Sequence, residues 1–550
     1  MPDATKGRPA TNARYDVVIV GAGFAGLYQL HRLRALGMVA KVIEAGSGVG
    51  GTWYWNRYPG ARCDVESMQY SYAFSEELQQ EWHWPELFSA QQDILKYANH
   101  VADKLDLRRD ILFDTSVTEA RFDETASQWS ITTNLGDRFT TGFLIMATGC
   151  LSTARVPDFK GLGSFKGKTY HTGAWPHEGV DFTGLRVGVI GTGSSAIQAI
   201  PVIAEQAADL TVFQRTPNFS IPSRNGPLAE SYERQWKDKY ADLREEARNT
   251  RNGILAYPND FSALSVSSEE RQRIYDERWL SGGTTFMAAF NDLIFNQEAN
   301  DTAAEFVRGK IRETVKDPKT AELLAPKDHP IGTKRICVDT RYFETYNRPN
   351  VHLIDVRSAP IEETTPAGLR TANASYEFDA IVFATGFDAM TGALTAIDIH
   401  STDGSTLKRK WEDGPRTYLG LMCAHFPNMF MVTGPGSPSV LSNMHVSIEQ
   451  DVNWISDCLG WLRDHRVARI EATQQAEDNW VLHGIEVANK TLYPKAASWY
   501  MGANIEGKPR VFMPYIGGVN AYRQKCAEIA ENGYTGFHLT GAPAVAEAAE

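Results

Sequence analysis

Two stretches of this chain share one pattern, an apolar strand, a glycine turn and the start of a helix. "YDVVIVGAGFAGLYQL" places Gly21, Gly23 and Gly26 in a G-x-G-x-x-G turn, and "GLRVGVIGTGSSAIQAI" places Gly191, Gly193 and Ala196 at the same spacing. No other feature constrains the fold as strongly. Such a turn needs a parallel strand behind it and a helix in front, the βαβ unit that cradles a pyrophosphate on a helix N-terminus. A chain with two of them is expected to be α/β, with two Rossmann-like dinucleotide-binding domains. Its 550 residues also exceed what one hydrophobic core serves.

The strand after each turn distinguishes the two sites. "AKVIEAG" follows the first and ends in Glu44, where a carboxylate accepts hydrogen bonds from a ribose 2'-hydroxyl. This reads as an adenosine with a free 2'-OH, as in FAD or NAD. "LTVFQRTPN" follows the second and carries Gln214 and Arg215, and a guanidinium there pairs with a 2'-phosphate that a carboxylate would repel. The second nucleotide is therefore read as NADPH, and the whole as a flavoprotein that takes hydride from it. Two apolar runs, "FLIMATG" and "DAIVFATGFD", close in Ala-Thr-Gly and are read as the strands where each nucleotide domain hands the chain to the other.

Composition removes several classes. A net charge of -12 argues against a nucleic-acid surface, which wants a basic stripe. The six cysteines (Cys63, Cys150, Cys337, Cys423, Cys458, Cys526) lack CxxC spacing, so no disulfide framework, metal site or dithiol redox pair is expected, and a reducing cytoplasm fits. "MPDATKGRPATNARYD" has no apolar core of a leader, and no run of 18 apolar residues occurs.

Between the turns, "VGGTWYWNRYPGARCDVESMQYSY" is dense in glycine, aromatics and paired charge: Gly50 and Gly51 allow close backbone approach, Trp53 and Trp55 offer flat apolar walls, and Asp64 follows Arg62. It follows the ribose-binding strand directly, which makes it a cofactor-side segment. Residues 224–330 turn charged and helical, with Trp236, Tyr240 and Leu243 on one helical face, either a packed cap or a wall of the substrate cleft. "TGPGSPSVLSNM" is loop punctuation followed by small apolar residues. The expected organisation is a flexible tail (1–14), an FAD-binding domain in two parts (15–150 and 385–540), a linker and first part of an NADPH-binding domain (151–223), a helical insertion in that domain (224–330), its second part (331–384) and a C-terminal tail (541–550).

From about residue 15 to about residue 540 the chain resembles the type I Baeyer-Villiger monooxygenases. The family pattern FxGxxxHxxxW followed by Pro or Asp is met by Phe165, Gly167, His171, Trp175 and Pro176, and GGxWxxxxYPGxxxD by Gly50, Gly51, Trp53, Tyr58, Pro59, Gly60 and Asp64. Within the family it is most similar to the phenylacetone and steroid monooxygenase branch. The resemblance implies an enzyme that uses FAD, NADPH and O2, through a C4a-peroxyflavin, to convert aryl, steroid or cyclic ketones to esters or lactones. It implies FAD contacts at Gly21, Gly23, Gly26, Glu44, Thr52, Trp53, Asp64, Tyr70, Val117 and Met444, and NADPH contacts at Gly191, Thr192, Gly193, Ser194, Ser195, Arg215, Thr216, Lys334, Arg335 and Trp499. Arg335 is implied to face the flavin with Asp64 holding it, Trp499 to lie on a loop that closes over nicotinamide, and Ser439, Val440 and Leu441 to line the substrate pocket. For the linker motif the expectation is a hinge, with Gly167 in a turn, Phe165 and Trp175 as apolar anchors, Pro176 stiffening the exit and His171 bonding across. No protein partner is implied. The alternatives are a flavin monooxygenase that oxygenates nitrogen or sulfur, which Trp175-Pro176 argues against, and an uncoupled NADPH oxidase, which Asp64 and Arg335 argue against. A disulfide reductase is excluded by the lack of a cysteine pair.

Overall fold

The computed structural model describes residues 12–541; most of the two expected tails lies outside them. The first sheet has eight strands. Its order from one edge is Asp398–His400, Val117–Asp123, Gln128–Thr133, Arg138–Met146, Ala13–Val20, Ala40–Ile43 and Ile111–Leu112, with Met429–Met431 also paired to Arg138–Met146. Val17, Val18 and Ile19 are fully buried, as befits a strand with parallel neighbours on both sides. That strand begins at Ala13, inside the stretch expected as tail, because Ala13 and Arg14 pair with Phe139 and Thr140.

The second sheet is parallel throughout, in the order Val351–Asp355, Asp209–Gln214, Arg186–Ile190, Ala380–Phe383, Lys168–His171. Both glycine turns repeat one packing device. Gly21 (φ 104°) and Gly191 (φ 115°) take a backbone that L side chains rarely adopt. A Cβ on Gly21 would lie 2.5 Å from the Ala147 carbonyl oxygen, and one on Gly191 2.4 Å from that of Ala384. Each Ala-Thr-Gly ending thus puts its alanine carbonyl under the first glycine of its own turn.

The linker motif is not a free connection. Lys168–His171 is the edge strand of the second sheet, in register with Ala380–Phe383. Gly167 sits in a bend with an ordinary φ, and it also leaves room, since a Cβ there would meet the Asp379 carbonyl oxygen and the Phe165 ring, each at 2.5 Å. Trp175 is buried against Tyr170 and Phe182, and Phe165 packs in a separate small cluster with Phe378 and Phe383. The two chain crossings between the sheets run side by side near His171: Arg155 N donates to Gly386 O (3.0 Å), and Ala154 bridges Phe387. Gly173 N donates to His171 Nδ1 (2.9 Å), which leaves the proton on Nε2 facing Arg155 O (3.1 Å). Burial lowers the pKa of this imidazole, so it ties the crossings as a neutral ring.

The helical insertion divides between two cores. Trp236 and Tyr240, from helices Glu230–Asp238 and Tyr240–Arg248, are buried in the cluster that contains Phe24, Tyr70 and Tyr72, with Leu243 packed on its margin. Helices Ser268–Ser281, Gln297–Thr314 and Pro318–Leu324 send Tyr275, Phe306 and Leu324 into the cluster of the second sheet.

Candidate active site

The segment after the first ribose-side strand lies between the two sheets. Gly51 (φ 53°) backs onto the first glycine turn, where a Cβ would lie 2.9 Å from Gly23 Cα. Thr52–Trp55 forms one helical turn. Trp53 is buried and donates its indole N–H to the Tyr70 hydroxyl at 3.1 Å, whereas Trp55 stays 36% exposed. The Tyr58-Pro59-Gly60 turn rests on helix Ser194–Gln206, with Tyr58 Oη donating to Gln198 Oε1 at 2.8 Å. This path of strand, glycine loop, helical turn and loop delivers Asp64 to the helix that follows the second dinucleotide turn.

There Asp64 meets Arg335. Nε and Nη2 of the guanidinium both reach Asp64 Oδ2 at 3.2 Å, and Gln198 Nε2 lies 3.3 Å from Oδ1. Asp64 is buried, which raises its carboxyl pKa, with Arg335 opposing. Burial works against the Arg335 charge, but Asp64 and other nearby groups hold its pKa above the ordinary value. A carboxylate of this kind fixes a guanidinium's plane and leaves its remaining N–H donors for another group.

On the first dinucleotide side, Glu44 is buried and accepts from Ala22 N (2.6 Å) and Gly46 N (2.7 Å). Burial raises its pKa and these two amides oppose it. An ionised carboxylate offers about four lone-pair sites, so acceptor capacity is left for a ribose. Gly26 approaches Gly21 so closely that a Cβ would lie 1.9 Å from the Gly21 carbonyl oxygen. Val117 is the buried first residue of its strand, beside the Glu44-Thr115 backbone contact. Met444, half-buried, starts the helix Met444–Asp464 that packs along Phe24–Ala35.

On the second side, Thr192 Oγ1 donates to Thr216 O (2.8 Å), Ser194 Oγ lies 3.1 Å from Cys337 Sγ, and Ser195 is within hydrogen-bonding reach of the Tyr58 hydroxyl. Arg215 is exposed just past the strand Asp209–Gln214. Among the described residues neither Arg215 nor Lys334 has a carboxylate partner. Burial lowers the Lys334 pKa most, Asp328 opposes, and Arg215 and Arg357 lower it further, so these charges share one place. Arg357 and Gln198 were not singled out from the sequence. Arg357 had a usable signal, since it follows the next strand of the sheet as Arg215 follows its own; a glutamine inside a helix had none.

A third wall is apolar. Val440, Cys150, Ala389, Met390, Tyr500 and Met513 form one buried cluster, with Leu441, Met444 and Trp499 packed on it. Ser439 takes a left-handed φ of 42°, unusual for a residue with a side chain. Trp499 is half-buried with its ring 4.1 Å from that of Tyr500. Its segment is tied to the second crossing: Asn504 Nδ2 donates to Phe387 O (2.8 Å), Arg155 donates to Asn504 O, and Lys508 Nζ pairs with Asp388 Oδ1 (2.5 Å).

Residues 18–227 match the family model described as pyridine nucleotide-disulphide oxidoreductase. All six cysteines are nevertheless buried and unpaired. The chain is 42% identical over 538 residues to a Baeyer-Villiger monooxygenase of Pseudooceanicola batsensis, covering 96% of this chain and 97% of that one. It is similar to the structure of an oxidised steroid monooxygenase bound to NADP, at 52% identity and TM-score 0.92 over 96% of this chain and all of that one. A structure of OTEMO in complex with FAD and NADP matches at 42% identity and TM-score 0.93, again over 96% and 100% of the two chains.

Proposed function

The chain belongs to the Baeyer-Villiger monooxygenases, and from that premise we propose how its own residues divide the work. It is an FAD- and NADPH-dependent enzyme that uses O2 to place one oxygen atom beside a ketone carbonyl, giving an ester or lactone. Bound FAD supplies the redox chemistry, accepting hydride from NADPH and activating O2.

FAD is held by Gly21, Gly23 and Gly26, whose lack of Cβ leaves the backbone open to a pyrophosphate, and by Glu44 at the ribose. Thr52, Trp53, Asp64, Tyr70, Val117 and Met444 complete its site. NADPH is held by the turn Gly191 to Ser195, by Thr216, and by Arg215 and Lys334 at the 2'-phosphate, which is supported by the charges gathered there and by the absence of a salt bridge to either residue among the described residues. Trp499 closes over the nicotinamide. The apolar cluster with Ser439, Val440 and Leu441 at its edge is the wall against which an aryl, steroid or cyclic ketone would lie, and its apolar lining supports that reading.

The observation that carries this division is the Asp64-Arg335 pair, placed where the two glycine turns face one segment. A guanidinium stays charged and is a poor proton donor, so Arg335 stabilises developing negative charge without protonating it. Asp64 positions Arg335. No helix of the described residues is long and apolar enough to cross a membrane. We place the enzyme in the cytoplasm, working without nucleic acid or an obligatory protein partner; six unpaired cysteines and a net charge of -12 support this.

The test is a product analysis under isotopically labelled O2 with phenylacetone, a steroid ketone and a cyclic ketone. One labelled oxygen in an ester or lactone, with NADPH consumed in equal amount, is expected for at least one of them. NADPH consumption that yields only hydrogen peroxide with all three would make the protein an oxidase.

A further inference from the structure

The cations at the adenosine end of the NADPH site number three, and the third has a different strand. Arg215 follows Asp209–Gln214, and Arg357 follows Val351–Asp355, its neighbour in the sheet, with Asp355 opposite Gln214. The two arginines therefore leave adjacent carboxyl ends of one parallel sheet, the edge at which open α/β sheets bind ligands. Their backbones stay together past the sheet: Val356 N donates to Gln214 O (2.9 Å), and Arg357 Nε donates to Arg215 O (3.2 Å). Lys334 arrives from a third segment, close enough for the charges of both arginines to act on it.

The charge balance of this cluster is not neutral. Arg357 Nη2 donates to Asp328 Oδ2 at 2.8 Å, and His329 Nδ1 lies 2.8 Å from Asp328 Oδ1. Asp328 pairs directly with one arginine and acts at longer range on Lys334, while neither Arg215 nor Lys334 forms a salt bridge with a carboxylate among the described residues. Three cations against the single carboxylate of Asp328, gathered at the ligand edge of a parallel sheet, leave an excess of positive charge that suits a dianion. We propose that Arg357 is a specificity-determining residue of the NADPH site, a third cation for the adenosine 2'-phosphate that Asp328 pins beside Arg215. This rests on the reading that NADPH occupies the second dinucleotide turn and adds a residue to it.

Its fork is suited to the task. With Nε on the Arg215 carbonyl and Nη2 on Asp328, the guanidinium plane is set in advance and Nη1 keeps both of its donors. More than half of the side chain, 55%, is exposed, so replacing it disturbs little packing.

The experiment is equilibrium binding of NADP+ and of NAD+ to the oxidised, FAD-loaded enzyme, with thermal midpoints as a folding control. Arg357→Ala is expected to weaken NADP+ about tenfold, the scale of one lost charge-assisted hydrogen bond, and to leave NAD+ unchanged. Arg357→Lys, which keeps the charge but not the fork, is expected between wild type and alanine. Arg215→Ala is measured beside them. If it erases the preference for NADP+ while Arg357→Ala leaves that preference intact, the role of Arg357 is overturned and the NADPH reading stands. If neither variant changes the preference, the 2'-phosphate reading of this edge fails as a whole. An equal loss for both dinucleotides in Arg357→Ala would assign the residue to a part they share and overturn the proposal.

Discussion

Asp64 and Arg335, 271 residues apart, meet with two guanidinium nitrogens on one carboxylate oxygen at 3.2 Å. The contact joins a loop from the first sheet's side to the segment that precedes a strand of the second side, Cys337–Asp339. Gln198, from the helix of the second glycine turn, holds the other carboxylate oxygen and the Tyr58 hydroxyl together. One ion pair therefore reports on the relative placement of both dinucleotide sites.

Arg335→Ala is expected to keep flavin reduction by NADPH within several-fold of wild type and to lower ester formation by about 100-fold or more, the scale on which removing one preorganised donor acts. Rapid-mixing reduction traces and product yields measured on the same preparation separate the two steps. Equal losses in both would mean that Arg335 serves nucleotide binding alone. Asp64→Asn keeps the shape but not the charge that positions Arg335, and is expected to fall between the two.

Gly26→Ala is expected to yield protein that retains little FAD, because the added methyl would lie 1.9 Å from the Gly21 carbonyl oxygen, a backbone atom that cannot step aside without reshaping the turn. The ratio of flavin absorbance to protein after gel filtration measures this directly. Gly193→Ala serves as the contrast, since nothing lies within 4 Å of a Cβ there; it is expected to retain FAD fully.

Both glycine turns were legible because their chemistry is local: spacing alone fixes strand, turn and helix. The Asp64-Arg335 meeting was legible only through the family pattern, since spacing carries no information across so long a separation. The linker motif hides its edge strand for a physical reason. "KTYH" is too short for strand periodicity to declare itself, and its place at a sheet edge is set by Ala380–Phe383, far along the chain. Gly167 shows the same limit, because the bend it makes can be read from the glycine itself, while the room it leaves for the Asp379 carbonyl oxygen is set by a residue far along the chain. In the insertion, the stripe of Trp236, Tyr240 and Leu243 said that one face is buried but not that its partner is the first core.

Asp451 gives a pH signature. Its carboxyl is buried under Thr433 N (2.8 Å) and near the Tyr522 hydroxyl (3.0 Å), and burial pushes its pKa from 3.8 up to about 7. Tyr522 also has the Leu419 carbonyl oxygen at 2.8 Å for its one proton, so a protonated Asp451 donating to Tyr522 satisfies every group. The folded state then holds a proton that the unfolded chain releases. The stability this contributes is fully present below about pH 4 and is lost as pH rises through about 7. Asp451→Asn is expected to be more stable than wild type at pH 8, by on the order of 2–4 kcal/mol, with the difference shrinking toward pH 5. Paired thermal midpoints across that range check it, and a constant difference would rule out titration of this group.

The segment that carries Trp499 is held down at points away from the ring itself. Lys508 Nζ pairs with Asp388 Oδ1 (2.5 Å) and donates to Ala389 O (2.9 Å), while Asn504 Nδ2 donates to Phe387 O (2.8 Å). Residues 387–389 follow the strand Ala380–Phe383, whose Ala-Thr-Gly end lies under the second glycine turn, so these bonds fasten the segment to the frame of that site. The Lys508 side chain is 12% exposed and that of Asp388 34%, which makes the pair worth about 1 kcal/mol, or roughly a fivefold change in an opening equilibrium. Lys508→Met, which keeps the aliphatic stem and removes the charge, is expected to speed NADP+ dissociation by about that factor and to leave flavin reduction at saturating NADPH nearly unchanged. Displacement of NADP+ in a rapid-mixing instrument reads the first quantity and anaerobic reduction the second. Raising the salt concentration should speed dissociation from both proteins, by the larger factor in wild type, because screening weakens the cation contacts to the nucleotide phosphates in both and the Lys508-Asp388 pair only where it is present. An unchanged dissociation rate in Lys508→Met would mean that the two backbone-anchored bonds of Asn504 and Arg155 alone keep the segment closed.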